Sequence, residues 1–543
     1  MTATALAATG HRPAQAGAGR AVTRLAVRQV RRGAAVVFAV TVGMSTLVAT
    51  TYTRTVGDGL DAAALAALAR NPAVRTLFGE PAALDTAGGF TVWRTGTVLA
   101  VVLSVWGLLA TTRVTRGEEA AGRWDLLLAG RSGPAAVLGR HLAVLATVAA
   151  LTGAALAAAL VAAGTPARGA VLHGAGLALV TTVAVAAAGL AAQVFPTRAA
   201  ATGATLTFLG VGLLARMVGD GVTPLGWLRW LPPYGPLALT RPYQADRVSP
   251  LIVLALTTVV LCAGAFTLAV RRDVRDGLVA PAAGRPPRLR LLRSVESFAV
   301  RRMLRPLAGW SAGVGAYFLL IGALAVSLTE FLADNARFAD LAAQAGFAGL
   351  GTVHGYVASL FALLAVPVGA FTAVRLAAFA AAETDGRLTL LHAGTLSRAR
   401  LLAAEVATTT VGAAALVTVA GAATWLGAAV VDADLSLPAA LAGTWNVLPV
   451  ALLSLGSAVL ALGRAPRGVA ALGMLPSAGG FLLTVVADST GAPAWVGRLS
   501  PYAHLADVPQ TAPNWPATAV MVALAGTAVA VGTCGYRRRD VRA

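Results

Sequence analysis

Long apolar runs alternate along this chain with short polar stretches. The runs lie near residues 33–51, 96–112, 142–163, 169–193, 201–218, 250–270, 307–329, 352–373, 403–430, 439–462, 468–488 and 517–536. Most approach or exceed the ~20 apolar residues that carry a helix across ~30 Å of hydrocarbon. They are unbroken rather than alternating residue by residue, which excludes the ten-residue strands of a membrane barrel. In lipid every backbone N–H and C=O needs an internal partner, so each run is predicted to be a helix. The fold class expected is all-α, a polytopic membrane protein with twelve transmembrane helices. Two polar interruptions do not fit this rhythm: "RGEEAAGRWDLLLAG" from Arg116 and "AAETDGRLTLLHAG" from Ala381.

Composition sharpens the picture. Hydrophobic residues make up 57% of the chain and charged residues 12%, against about 25% charged in an average soluble domain. All 43 basic residues are arginine. With the N-terminus inside, twelve crossings return the C-terminus inside. The inner segments then hold 32 of the 43 arginines and 10 of the 23 acids. That excess of positive charge is the bias that orients membrane proteins. It predicts a membrane protein with both termini in the cytosol. The clusters "RLAVRQVRR", "RRDVRDG", "RSVESFAVRRMLR" and "RRRDVRA" read as topology determinants and lipid-headgroup contacts. Without interleaved aromatics they do not indicate nucleic-acid binding. Arg24, Arg28 and Arg31 alternate with Leu25, Val27 and Val30, predicting an amphipathic helix on the inner membrane surface.

The chain also repeats itself. At an offset of 264, Glu119, Gly122, Arg123, Leu126, Leu127, Ala129 and Gly130 meet Glu383, Gly386, Arg387, Leu390, Leu391, Ala393 and Gly394. "WLRWLPPYGPLA" from Trp227 answers "WVGRLSPYAHLA" from Trp495 at 268, and "RRDVR" from Arg271 returns from Arg538 at 267. Two parallel six-helix halves are expected, because an even number of crossings brings each half back to its starting side. The expected organisation is a cytosolic segment 1–32, a first half 33–277, a basic cytosolic linker 278–306, a second half 307–536 and a basic tail 537–543. Duplication suggests a pathway between two pseudo-equivalent halves.

Both charged segments fall between the second and third helix of their half, on the cytosolic side. Each is too charged to cross lipid and too apolar for a plain solvated loop. The bland reading is a connector that caps two helices. The functional reading is a docking element for a soluble partner, and the duplication favours it. At these residues the sequence resembles type-2 ATP-binding-cassette exporter permeases, which carry a Glu–x–x–Gly–Arg coupling segment. It is most similar to the fused actinobacterial form described as exporting polyketide antibiotics. The outer stretch "NPAVRTLFGEPAALDTAGGFTVWR" is similar to the first external loop of that group. The resemblance implies a permease that works with two copies of a cytosolic ATPase subunit and exports amphipathic small molecules. It implies that Glu118, Glu119, Gly122 and Arg123 engage one ATPase, and Glu383, Gly386 and Arg387 the other. Glu118 and Asp125 become Ala382 and Thr389 in the second copy, which leaves the equivalence of the two sites open.

A P-loop requires a lysine on the β- and γ-phosphates, and this sequence contains none. No cofactor is therefore expected in this chain, and ATP is expected on the partner. Two other classes compete. An ion-coupled carrier would place ionisable residues deep in the membrane, and the apolar runs carry few. A lipid-linked transferase would want clustered carboxylates or histidines. The six histidines are scattered, and His392 reads as a surface residue; neither a catalytic group nor a metal site is expected. Cys262 and Cys534 read as small apolar residues. The Trp–Pro–Tyr segments read as interfacial anchors or substrate gates. Pro367, Pro449 and Pro476 fall inside second-half runs and could kink a substrate path.

Overall fold

The computed structural model describes residues 12–56, 74–76, 79–130, 132–274, 276–279, 291–334, 349, 351–388, 396–490 and 492–539. Parts of three expected features lie outside them: the external loop from Asn71, the basic linker, and the end of the second charged segment with His392. The described residues contain helices and no strand. Twelve helical stretches among them are long and apolar enough to cross a membrane. They are Gly19–Tyr52, Ala87–Ala120, Pro134–Ala162, Ala167–Val194, Arg198–Gly221, Ser249–Arg271, Val295–Asp334, Val353–Thr384, Arg398–Val430, Leu437–Arg464, Pro466–Ala487 and Trp515–Arg538, called here the first to twelfth spans. The chain divides into two compact units, Met1–Arg285 and Pro286–Ala543, with six spans in each.

Hydroxyl caps mark where several spans begin. Thr86, Thr197, Ser294, Thr352 and Ser397 each accept a backbone N–H three residues on, satisfying a donor that the first helical turn leaves open. In the first unit the fourth span is the most buried and touches the second, third, fifth and sixth. Its small residues allow this. A Cβ on Gly153 of the third span would lie 2.3 Å from the Gly174 carbonyl oxygen, and one on Gly174 would lie 2.2 Å from that of Gly153. Any side chain there would force the two backbones apart, and close approach is what holds helices together where lipid supplies no hydrophobic drive. In the second unit the tenth span is the most buried and packs against the eighth and twelfth.

The N-terminal expectation is corrected. Arg12–Val56 is one continuous helix of 45 residues, not a surface helix followed by a separate span. Its basic part is amphipathic, but the apolar face (Val22, Ala26 and Val30) is buried against Val114, Trp124, Val137 and Leu138 of the same unit. Protein takes up that side of the helix, Val30 included, while Leu25 and Val27 of the expected apolar face stay exposed.

The prolines also have local explanations. Pro449 stands in the first turn of the helix Leu448–Arg464, where the tenth span restarts after the short helix Leu437–Trp445. Its missing N–H would have been unpaired there in any case. Pro476 lies in a π-helical turn, Leu475–Gly479, inside the eleventh span. Pro367 alone of the three is interior to an α-helix.

Buried charge is more abundant than the apolar runs suggest. Arg375 of the eighth span pairs with Glu405 of the ninth, and Arg302 of the seventh stands 3.6 Å from the other oxygen of Glu405. In the first unit Arg216 and Asp220, one turn apart in the fifth span, pair at 2.7 Å. Each of these charges inside a span is thus neutralised beside its partner. Glu405→Ala should destabilise the protein by about 3–5 kcal/mol, because it strands the Arg375 guanidinium. Replacing the pair together, Glu405→Leu with Arg375→Met, should be nearly neutral by comparison; thermal unfolding in detergent micelles reads both. Gly153→Leu should cost at least about 1–3 kcal/mol by overpacking the third and fourth spans, seen as a lower Tm, whereas Gly203→Ala, where nothing lies within 4 Å, should leave it unchanged.

Candidate functional site

Each charged segment is a turn built around a left-handed glycine. After the second span, Arg113–Gly117 winds as a π-turn, Glu118–Ala120 completes a helical turn, and Arg123–Leu128 forms a new short helix. Gly122 between them has φ 73°, a conformation that glycine adopts without the Cβ penalty. Its N–H donates to the Glu119 carbonyl at 3.0 Å. The second unit repeats this turn: Gly386 has φ 71° and donates to the Glu383 carbonyl at 3.0 Å. The spacing Glu–x–x–Gly–Arg is therefore a helix terminus, and the reversal after glycine separates the faces on which its Glu and Arg lie.

The glutamates point inward. Glu119 is 1% exposed and Glu383 7%. Arg272, just beyond the sixth span, donates Nη1 and Nη2 to the two oxygens of Glu119 at 2.7 and 2.8 Å. Its Nε donates to Gln193 Oε1 of the fourth span at 2.7 Å. Arg116 stands 3.2 Å from Glu119 and also donates to the Asp276 carbonyl at 2.8 Å. In the second unit Arg539, just beyond the twelfth span, pairs with Glu383 and donates to the Leu462 carbonyl of the tenth span at 2.8 Å. Tyr536 donates its hydroxyl to the other oxygen of Glu383 at 2.9 Å. Arg272 and Arg539 occupy the same place in the two "RRDVR" stretches, which by sequence alone read only as topology signals. Losing one partner of such a buried pair costs about 3–5 kcal/mol, so these glutamates hold the turn to the bundle and are not free to meet a partner.

The residue after each motif arginine is also buried. Trp124 is 1% exposed, packs with Val22, Val30 and Leu142, and donates Nε1 to the Val114 carbonyl at 3.3 Å. Leu388 fills the same place in the second unit at 3% exposure, against Leu376, Phe379 and Leu402. What remains outside is a small polar surface with one greasy point. Arg123 is well exposed and pairs with Glu118, Asp125 is exposed, and Leu126 is 80% exposed. On the second turn Arg387 is exposed and pairs with Asp385 at 2.6 Å. Ala382, which replaces Glu118, is buried; the second arginine takes its carboxylate from the turn itself. Thr389 lies outside the described residues.

At the far end of the first unit, Glu80 accepts from Arg229 at 3.1 Å and from Arg241. Beside it a cavity of about 60 Å³ is lined by Trp93, His173, Arg216 and Tyr234, among others. That is far below the ~150 Å³ that admits benzene, so the cavity has room for a few waters and not for a drug-sized ring. Tyr234 of the first Trp–Pro–Tyr segment is buried, and burial pushes its hydroxyl up to about 12. Trp227 and Trp495 are exposed, as residues facing an interface would be. Among the described residues no group of three or more His, Cys, Asp or Glu side chains could hold a metal ion.

Comparison with known proteins agrees with the resemblance. Residues 292–537 match the family model described as the C-terminal domain of the multidrug efflux system permease Rv1217c. The multidrug efflux system permease protein Rv1217c of Mycobacterium tuberculosis (strain ATCC 25618 / H37Rv) is 29% identical over 489 residues, covering 89% of this chain and 87% of that protein. A match of that length cannot be confined to either unit. The chain is a multi-pass membrane protein that is similar, over most of its length, to a multidrug efflux system permease.

Proposed function

We propose that this chain is the membrane subunit of an exporter driven by two copies of a separate cytosolic ATPase. Each copy docks on one glycine turn: Arg123, Asp125 and Leu126 present the first surface, Asp385 and Arg387 the second. The cargo is an amphipathic small molecule of the antibiotic or multidrug type, moved outward by alternating access as ATPase closure draws the two turns together. The observation that carries this reading is the repetition of one unusual structure. A left-handed glycine lifts an arginine to the surface twice, each time over a glutamate buried beneath it. A connector needs to cap its helices; it does not need to display the same side chain in both halves.

Three further observations support the reading. The sequence contains no lysine, so it holds no P-loop, and if ATP drives transport another polypeptide must bind it. The excess of arginine on the segments that carry both turns places them in the cytosol by the positive-inside rule, together with both termini. The similar protein of Mycobacterium tuberculosis is a multidrug efflux system permease. Arg216 and Asp220, and Arg375 and Glu405, are paired to one another, which weighs against their serving as the ion relay of a coupled carrier.

The test uses the exposed residues, because Glu119 and Glu383 report on the fold of the turn. Arg123→Glu with Leu126→Asp, combined with Arg387→Glu, should lower ATPase co-purification and drug efflux about tenfold or more, the equivalent of about 1.4 kcal/mol. The Tm of the permease alone should stay within the small range of surface substitutions. Full assembly and transport by the triple variant would remove docking from the explanation.

A further inference from the structure

In each unit the buried glutamate of the turn is bound by an arginine from the end of that unit's last span, and the same guanidinium also reaches the end of its most buried span. Arg272 joins Glu119 to Gln193; Arg539 joins Glu383 to the Leu462 carbonyl. The two units share this three-way joint although their other donors differ: Arg116 assists in the first and Tyr536 in the second. The planar guanidinium holds its donors in fixed directions, which a lysine cannot do: Arg272 gives two N–H groups to Glu119, and Arg539 gives one to Glu383 and one to the Leu462 carbonyl. A turn held in this way cannot shift without either breaking the fork or carrying the end of the last span along.

We propose that Arg272 and Arg539 are positioning residues that make the last span of each half move as one body with its own coupling turn, so that ATPase motion enters the sixth and twelfth spans directly. The inference rests on the docking reading above and adds the route by which force leaves the turn. It also predicts an inequality. Without Arg272, Glu119 keeps the Arg116 cation; without Arg539, Glu383 keeps only the neutral Tyr536 hydroxyl among the contacts described. The second joint is the weaker of the two when its arginine is removed.

The experiment uses the assembled complex in proteoliposomes and measures drug transported per ATP hydrolysed, with co-purification of the ATPase as the control for docking. Arg539→Gln should keep assembly and hydrolysis but lose about tenfold in transport per ATP, in the range of an allosteric coupling between two sites. Arg272→Gln should lose less. Arg539→Lys should fail to restore the ratio, and the exchange Glu383→Arg with Arg539→Glu should recover part of it. An unchanged ratio in Arg539→Gln with assembly intact overturns the proposal while leaving docking in place. A failure of docking shows separately, as surface variants that still assemble.

A second measurement does not depend on the folding of any clamp variant. In a Cys262→Ala, Cys534→Ala background, spin labels at Gly130→Cys and Val274→Cys report the separation of turn and span end. Both positions are exposed, and nothing lies within 4 Å of a Cβ at Gly130. With the clamp intact, that distance should stay constant between nucleotide-free and ATP-trapped complexes. A change approaching one helical turn, about 5 Å, would show that the two elements move independently and would overturn the proposal.

Discussion

A carboxylate buried at the end of a helix bundle must have a cation or several donors, and that requirement shapes both ends of this permease's working surface. Glu119 and Glu383 lie beneath their turns, where ionised groups are costly unless paired and hydrogen-bonded. Arginines from the last spans answer that need. Because the pairing fixes the glutamate inward, the chain must then reverse to bring the next arginine outward. The left-handed glycine makes the reversal, and a buried Trp124 or Leu388 seats the chain beyond the arginine. The motif is one device: an anchor, a hinge-free turn and a displayed side chain.

The spans were legible in the sequence because lipid imposes a simple rule on every residue along a crossing. Twelve apolar runs correspond to twelve helices, with ends displaced where cap chemistry outweighs hydropathy; Ser294 starts the seventh well before its apolar run. The charged segment was legible too, through its recurrence at one offset, but its left-handed glycine turn was not. The direction of the glutamates was not. Glu118 and Glu119 are adjacent and chemically alike, yet one lies near the surface with Arg123 and the other beneath it with Arg272. Helical phase decides between them, and phase is set by a π-turn that the residues of Arg113–Gly117 do not announce. The partner of Glu119 lies 153 residues away, in a stretch whose arginines already had a sufficient explanation as topology signals. The one available hint was that "RRDVR" recurred with the turns; topology needs positive charge, but it does not need the same pentapeptide.

The N-terminal helix shows the same limit. Arginines and valines at helical spacing reveal an apolar face but not what covers it. A membrane surface and the underside of the turn are both apolar, and Trp124 completes a protein surface that Val22, Ala26 and Val30 fit. The buried pair Arg375–Glu405 was missed because Glu405 sits alone within one apolar run and Arg375 just past the end of another. Only the packing of the eighth span on the ninth brings them together.

The two units meet one structural requirement with different chemistry, and the differences fall into related sets. Where the first has Arg116 beside its glutamate, the second has Ala380 and recruits Tyr536 from the twelfth span, at the place of Ala269. Where the first stacks His141 on Trp124, with ring centroids 6.2 Å apart, the second has Glu405 bound to Arg375 above a smaller Leu388. The first turn therefore rests on an aromatic packing contact and a doubly cationic anchor. The second rests on a singly cationic anchor, with the Arg375–Glu405 ion pair where the first unit has His141. Packing tolerates small sliding, whereas a buried ion pair resists separation until it breaks. Two turns that look alike from outside are thus mounted differently, and an equal push on each would not produce equal movements in the two halves.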